Sequence, residues 1–255
     1  MPTRDTPWPN GTPCWVDYGA ADIEKAKSFY SAMFGWDYTE GDDENYGGYI
    51  NALKNGEMAA GLGPRMDENQ PVSWSTYFAT DDSEATSRAI TEAGGTVIVP
   101  TMDIEPYGRM TIALDPQGNS FGLWEAKEHT GSRIYNEPGG YSWNEVSTDD
   151  PESAQRFYSE VFGFTFDAMP DAPGGYWTFA KGGNPLGGLA GSQPGSPKGW
   201  LTCFGVANAD EAVATAEANG GKVVMAPMNT PWGRFAVLQD PWGAPFEVMD
   251  SNTGS

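Results

Sequence analysis

Residues 14–38, CWVDYGAADIEKAKSFYSAMFGWDY, return at residues 142–166 as SWNEVSTDDPESAQRFYSEVFGFTF, so that Trp15 maps to Trp143 and Phe29-Tyr30 to Phe157-Tyr158. The offset is 128 residues. Further along, residues 107–125, YGRMTIALDPQGNSFGLWE, return at residues 232–250 as WGRFAVLQDPWGAPFEVMD, at an offset of 125. Two long strings matched at a nearly constant offset identify one unit present twice, and such a repeat constrains fold and site together. A fainter repeat lies inside each half: residues 73–95, SWSTYFATDDSEATSRAITEAGG, and residues 200–221, WLTCFGVANADEAVATAEANGG, again read as a strand followed by a helix. Four modules result.

Each module is predicted to run strand, helix, then three short strands. The first helix of each half begins at an acidic N-cap, Asp22 or Asp150, with Pro151 at the first helical position of the second. Apolar residues recur at helical spacing, as Ala26, Phe29, Tyr30 and Met33 in one and Ala154, Phe157, Tyr158 and Val161 in the other. Gly35, Gly94-Gly95, Gly163 and Gly220-Gly221 stop the four helices. DPQG and DPWG read as tight turns between strands. A βαβββ module has a helix on one face of its sheet only, so two modules pair to wrap the other face into a cup. The expected fold class is α+β: four βαβββ modules in two tandem domains with cupped mixed sheets. Domain 1 spans 11–127 (modules 11–65 and 71–127), and domain 2 spans 138–251 (modules 138–192 and 198–251). The polar, breaker-rich residues 127–139 form the linker.

The chain has 255 residues, enough for two domains, and 39% of them are apolar. Thirty-five acidic residues against 14 basic give a formal charge of -21. A charge of that sign repels phosphate backbones and anionic membranes, so neither nucleic acid nor membrane is an expected partner. Cys14 and Cys203 lie in different halves and propose neither a disulfide framework nor a cysteine metal site. No run of 18 apolar residues occurs, and the expectation is a soluble, cytoplasmic monomer or homodimer.

Four βαβββ modules, a helix ending in FY..vFGW and closing strands introduced by DP.G resemble the vicinal oxygen chelate superfamily, which includes glyoxalases, bleomycin-resistance proteins and extradiol dioxygenases. The resemblance covers roughly residues 11–250. The WVDY and WNEV openings with the PYGR and PWGR segments are similar to tandem actinobacterial members described as glyoxalase-like or as hydroxylases. The resemblance implies one divalent metal per active cup, held by His or Glu from the first strand of a module and Glu from its last. The first-strand positions fall on Trp15, Ser75, Trp143 and Cys203, and the last-strand positions on Gly122 and Glu247. Only Glu247 matches, and one carboxylate does not make a divalent site. His129, the sole histidine, falls in the linker, so no histidine ligand is expected inside a cup.

Strand alternation assigns the faces. Phe121 and Leu123 match Phe246 and Val248 as core, which turns Gly122, Trp124, Glu247 and Met249 toward the cup. Met110 and Ile112 match Phe235 and Val237 as core, which is expected to turn Arg109 and Arg234 inward. Trp15 with Asp17, and Trp143 with Glu145, occupy the first strands. Asp17, Glu145, Glu247, Arg109 and Arg234 are therefore the candidate catalytic residues. Trp15, Trp143, Ser75, Tyr77, Cys203, Trp124 and Met249 are candidate substrate contacts, with Tyr107 and Trp232 at the rim. Arg109 could equally serve to neutralise Asp17, and Arg234 to neutralise Glu145 or Glu247. Trp74 and Trp200 are expected on the helix side. The glycine-rich stretches at 61–69 and 187–199 read as connectors able to act as lids, without the strand and helix context of a phosphate loop.

The expected function is to bind or act on a planar or apolar organic metabolite with no cofactor and no bound metal. Whether the chain is an enzyme, of lyase, isomerase or hydroxylase-like type in secondary metabolism, stays open. The rivals are a metal-dependent glyoxalase-type lyase or isomerase or a dioxygenase, and a protein that sequesters an antibiotic or metabolite. Open too are the pairing of the modules and the equivalence of the two cups.

Overall fold

A computed structural model describes residues 3–41, 46–65, 67, 70–170, 172 and 174–250. Met66, Glu68 and Asn69 of the first glycine-rich connector fall outside these residues. Module 1 comprises β1 (Pro13–Ala20), α1 (Ile23–Phe34), β2 (Asp37–Tyr38), β3 (Ile50–Lys54) and β4 (Glu57–Pro64). Module 2 comprises β5 (Ser73–Ala79), α2 (Ser83–Glu92), β6 (Thr96–Ile104), β7 (Gly108–Leu114) and β8 (Ser120–Ala126). Module 3 has β9 (Tyr141–Thr148), α3 (Pro151–Phe162), β10 (Thr165–Ala168), β11 (Tyr176–Ala180) and β12 (Pro185–Gly191). Module 4 has β13 (Gly199–Gly205), α4 (Ala209–Ala218), β14 (Lys222–Thr230), β15 (Gly233–Gln239) and β16 (Pro245–Asp250).

The helix signals act as expected. Asp22 and Asp150 cap their helices by accepting from the Lys25 and Ser153 amides, and Gly35 and Gly163 close them in the left-handed conformation. Asp82 and Asn208 cap α2 and α4 in the same way.

Each half forms one mixed eight-stranded sheet, ordered β2-β3-β4-β1-β5-β8-β7-β6 in the first and β10-β11-β12-β9-β13-β16-β15-β14 in the second. Modules therefore pair in chain order within a sheet, through the antiparallel contacts β1–β5 and β9–β13. Their helix-covered faces pair differently. Val16, Tyr18, Phe29, Tyr30 and Phe34 of module 1 form one buried cluster with Phe204, Leu238, Phe246 and Val248 of module 4. Phe78, Phe121 and Leu123 of module 2 cluster with Val146, Phe157, Tyr158 and Phe162 of module 3. The two sheets thus stand back to back. At their centre Thr76 and Thr202 both donate to Asn144 Oδ1, at 3.0 and 3.1 Å.

The DP.G turns lock these cross-half cores. Asp240 Oδ1 accepts from the Trp242 and Ala244 amides of its own turn, while its Oδ2 accepts from Tyr18 and from Tyr30 at 3.0 Å. Asp115 likewise holds its turn through the Gln117 and Asn119 amides and accepts from Tyr158 at 3.0 Å. Gly118 and Gly243 take positive φ values of 87° and 104° in these turns, where a side chain would strain the backbone. Trp74 and Trp200 donate to Tyr30 and Tyr158, both at 2.9 Å, and so lie on the helix side as alternation predicts.

Candidate functional site

Residues directly opposite one another on adjacent strands point to the same face. Across the uncovered face of the second sheet, Trp143 lies opposite Cys203, Cys203 opposite Glu247, Glu247 opposite Val237 and Val237 opposite Met225. The matching row of the first sheet reads Trp15, Tyr77, Gly122, Ile112 and Val99. A neighbouring row sets Glu145 beside Gly188 and Leu201, and Asp17 beside Gly61 and Ser75. These two faces are the cups.

One device recurs in both. Trp15 Nε1 donates to the Tyr49 hydroxyl at 2.9 Å, and Tyr49 reaches Asp17 Oδ2 at 3.5 Å. Trp143 Nε1 donates to the Tyr176 hydroxyl at 2.9 Å, and Tyr176 donates to Glu145 Oε2 at 2.8 Å. The tyrosines approach over bare backbone: a Cβ at Gly61 would sit 1.8 Å from the Tyr49 hydroxyl, and one at Gly188 would sit 2.0 Å from that of Tyr176. Sequence reasoning missed both tyrosines, although their signal is present as GGY at 47–49 and again at 174–176.

The cups differ where Tyr77 and Gly122 stand in place of Cys203 and Glu247. The Tyr77 ring fills the first cup so closely that a Cβ on Gly122 would lie 2.1 Å from it. Trp15, Tyr77 and Trp124 are all buried and pack as one cluster with Met58, Met110 and Ile112. His129 completes the filling, its ring edge-on to Trp15 at 4.3 Å and 5.3 Å from Trp124. The expectation that His129 stays in a linker away from the cups is thus corrected. The polar segment folds back because Trp124 Nε1 donates to the His129 carbonyl and the Gly131 amide donates to Nδ1. Burial pushes the imidazole down to about 4, so it is neutral at pH 7. Burial pushes Asp17 up to about 7, opposed by hydrogen bonds with Tyr77, Tyr49 and Ser75.

In the second cup Trp143, Glu145 and Tyr176 are only half-buried, while Cys203 and Glu247 are covered. Glu247 is 2% exposed, and its Oε2 is buried with no hydrogen-bond partner. Burial, and then the charge of Glu145, raise the Glu247 carboxyl well above the ordinary range. Burial also raises Glu145, but the Tyr176 hydrogen bond opposes it. Two carboxyls sharing a low-dielectric site do not both ionise. Cys203 is held as a neutral thiol by burial and by both acids. Val237, Phe235, Met225, Met228 and Met249 extend an apolar wall from this pair toward the edge strand, where Met228 is exposed.

The inward placement of the two arginines is corrected. Arg109 meets Glu84, Asp103 and Glu125, and Arg234 is clamped by Asp210 at 2.7 and 2.8 Å and by Asn229. Ala113, two residues from Thr111, and Ala236 with Leu238 belong to the helix-side cores, so the arginines share that side. It is Met110 and Ile112, with Phe235 and Val237, that line the cups. Alternation misled because β7 and β15 are apolar on both faces, and the face covered by a helix carries the arginine at its open end. Neither arginine neutralises Asp17, Glu145 or Glu247. Ser75 and Cys203 are not equivalent positions: the register aligns Cys203 with Tyr77, and Ser75 with Leu201. Trp124 and Met249 face the cups, whereas Tyr107 and Trp232 lie exposed at the turns before β7 and β15. The second glycine-rich connector is tied down by Lys198 and Ser192, both bonded to Asp149.

The donors fit a divalent metal poorly. No group of three or more His, Cys, Asp and Glu side chains converges among the described residues. The strand positions that would carry ligands hold Trp15, Tyr77, Gly122, Trp143, Cys203 and Glu247, and the one oxygen there without a partner belongs to a carboxyl held neutral.

The fold agrees with what the chain is similar to. It is 41% identical to "Putative glyoxylase CFP32" of Mycobacterium tuberculosis over 98% of both chains. It is 32% identical to "Anthracycline biosynthesis protein DnrV" of Streptomyces peucetius, over 96% of this chain and 94% of that one. Among solved structures, the 2,3-dioxygenase LapB from Pseudomonas sp. KL28 superposes with a TM-score of 0.66 at 16% identity, covering 94% and 93% of the two chains. The Mn(II)-bound glyoxalase from Novosphingobium aromaticivorans gives 0.65 at 15% identity, covering 96% and 86%. At such identities the solved structures establish the fold alone. No helix among the described residues is long and apolar enough to cross a membrane. The sequence profile of the Glyoxalase/Bleomycin resistance protein/Dioxygenase superfamily matches twice, at residues 15–123 and 140–248, once over each eight-stranded sheet, and the chain is a member of that superfamily.

Proposed function

We propose that this protein binds one planar, largely apolar organic molecule in its second cup, without a bound metal. The observation that carries this reading is the helix-free face of the second sheet, where half-buried Trp143 and Tyr176 stand beside the Glu145–Glu247 pair and an apolar wall. A flat ligand would stack on the indole and satisfy the unpartnered Glu247 oxygen, the combination of apolar surface and few polar groups that small-molecule sites use. The relative named for anthracycline biosynthesis supports a polycyclic aromatic ligand class. Glu145, Glu247, Trp143, Cys203 and Met249 are the proposed contacts, and the first cup, with Trp15, Asp17, Ser75, Tyr77 and Trp124, serves as packing. The small molecule is the proposed partner.

Tryptophan fluorescence titrated with 1,8-dihydroxyanthraquinone tests this. Saturable quenching with one molecule per chain, weakened in Trp143→Phe and kept in Trp15→Phe, is expected. Unsaturable quenching, or quenching insensitive to Trp143, overturns the reading. Metal analysis of protein purified without chelator or affinity tag is expected to give well below one equivalent; a stoichiometric transition metal would replace it with the metal-dependent alternative.

A further inference from the structure

Two carboxyls face the second cup, Glu145 half-buried and Glu247 buried, and they are not treated alike. Glu145 receives a hydrogen bond from Tyr176, whose oxygen is itself held by the Trp143 indole N–H. Among the described residues no donor reaches Glu247 Oε2, which is covered. Of two carboxyls sharing a low-dielectric site, the one that accepts a hydrogen bond gives up its proton first, and the one buried without a donor keeps its own. The groups facing the pair are Tyr176 from β11, Cys203 from β13 and Trp143 from β9. None of these is cationic, since Arg234 is engaged by Asp210 on the other side of the sheet.

We propose that Glu145, as carboxylate, and Glu247, as carboxylic acid, act as a proton-transfer pair that enolises a planar ketone bound in the second cup. Glu145 takes the proton from the carbon beside the carbonyl. The C–H electron pair becomes the new C=C bond, the carbonyl π pair moves to oxygen, and that oxygen takes the Glu247 proton. The reverse transfers, at the same carbon or at a conjugated one, restore both side chains and leave the ketone or its isomer; no oxidant or reductant enters. Glu247 thereby supplies the electrophile. A neutral carboxylic acid aimed at a developing oxyanion in an apolar site is an effective donor. Tyr176 is a positioning residue: its hydrogen bond favours the Glu145 anion and aims it.

The proposal rests on the binding reading, and its test separates the two. The probe is 2-tetralone, a flat bicyclic ketone with exchangeable hydrogens beside its carbonyl. In D2O at pH 7 the protein is expected to accelerate deuterium incorporation, read by proton NMR, by at least ~100-fold over buffer. Glu145→Gln is expected to abolish that acceleration, and Glu247→Gln to lower it by ~100-fold, at saturating 2-tetralone and with the near-ultraviolet circular dichroism of the parent protein in both. Tyr176→Phe is expected to move the low-pH limb of the exchange profile upward, because Glu145 loses the donor that favours its anion. In protein labelled with 13C at glutamate side chains, one carboxyl is expected to remain protonated at pH 7 and to vanish in Glu247→Gln. Saturable quenching without exchange overturns the proposal and leaves the binding reading standing. Exchange that survives in Glu145→Gln, or a Glu247 carboxyl titrating in the ordinary range, also overturns it. Absence of both quenching and exchange overturns the two together.

Discussion

The two cups are built on one register, and the sharpest difference between them is one facing pair, an aromatic ring over glycine in the first and a thiol beside a carboxyl in the second. In the first, Tyr77 opposite Gly122 fills the space beside Trp15 with a ring. In the second, Cys203 opposite Glu247 puts a thiol and a buried acid in that place. A large residue facing glycine and a small one facing glutamate keep similar volume in the row, so the duplicated sheet carries either without altering its hydrogen bonding. The lesson is that in a repeated fold the site is read from departures from the repeat, and the core from its agreements.

The largest expected effect comes from exchanging the pair. Cys203→Tyr with Glu247→Gly should give the second cup the filling of the first and weaken quenching by 1,8-dihydroxyanthraquinone by ~100-fold or more, about 2.7 kcal/mol of binding. If affinity survives, the ligand sits elsewhere. The reverse comparison is one of stability: Tyr77→Ala should cost about 3–5 kcal/mol in urea unfolding, as expected for a buried ring left as a cavity, whereas Cys203→Ala should cost about 1 kcal/mol. Equal costs would mean that the first cup is not the packed one.

Next in size is the lock between the halves. Asp240→Ala strands two buried tyrosine hydroxyls and its own turn, against one such hydroxyl for Asp115→Ala. Losses of about 4 and about 2 kcal/mol are expected from differential scanning calorimetry. The smallest effect is a pH dependence. Asp17 and Glu247 have folded pKa values raised by burial, so the folded protein binds more protons than the unfolded chain. Their penalty is absent below the ordinary carboxylate range and grows as pH rises toward the folded value. For Asp17 that window runs from 3.8 to about 7. Asp17→Asn should therefore raise stability by about 1–2 kcal/mol at pH 8 and have no effect below the window, as seen by thermal melts across pH.

Much of the fold was legible because the repeat, the helix caps and the DP.G turns are local signals that recur at fixed offsets. The face of β8 and β16 was legible for the same reason, since Phe121 and Leu123 recur as Phe246 and Val248. The faces of β7 and β15 were not, because Met110, Ile112, Phe235 and Val237 are as apolar as a core and yet line a cup. Tyr49 and Tyr176 sit on short strands or loops whose only mark is a preceding Gly-Gly, and their role depends on a glycine one strand away. The return of His129 to Trp15 depends on long-range hydrogen bonds that no local pattern encodes.

The pairing of module 1 with module 4 sets the order in which the chain can be completed. Phe29, Tyr30 and Phe34 complete their packing on Phe204, Trp242 and Phe246. A ribosome adding roughly 5–20 residues per second leaves the aromatic stripe of α1 uncovered for some ten seconds or more before β16 emerges. A chain cut near residue 139 would display that stripe permanently. The tandem copies are thus two sheets but a single folding unit, and emergence of the last strand, not completion of the first copy, closes the core that α1 begins.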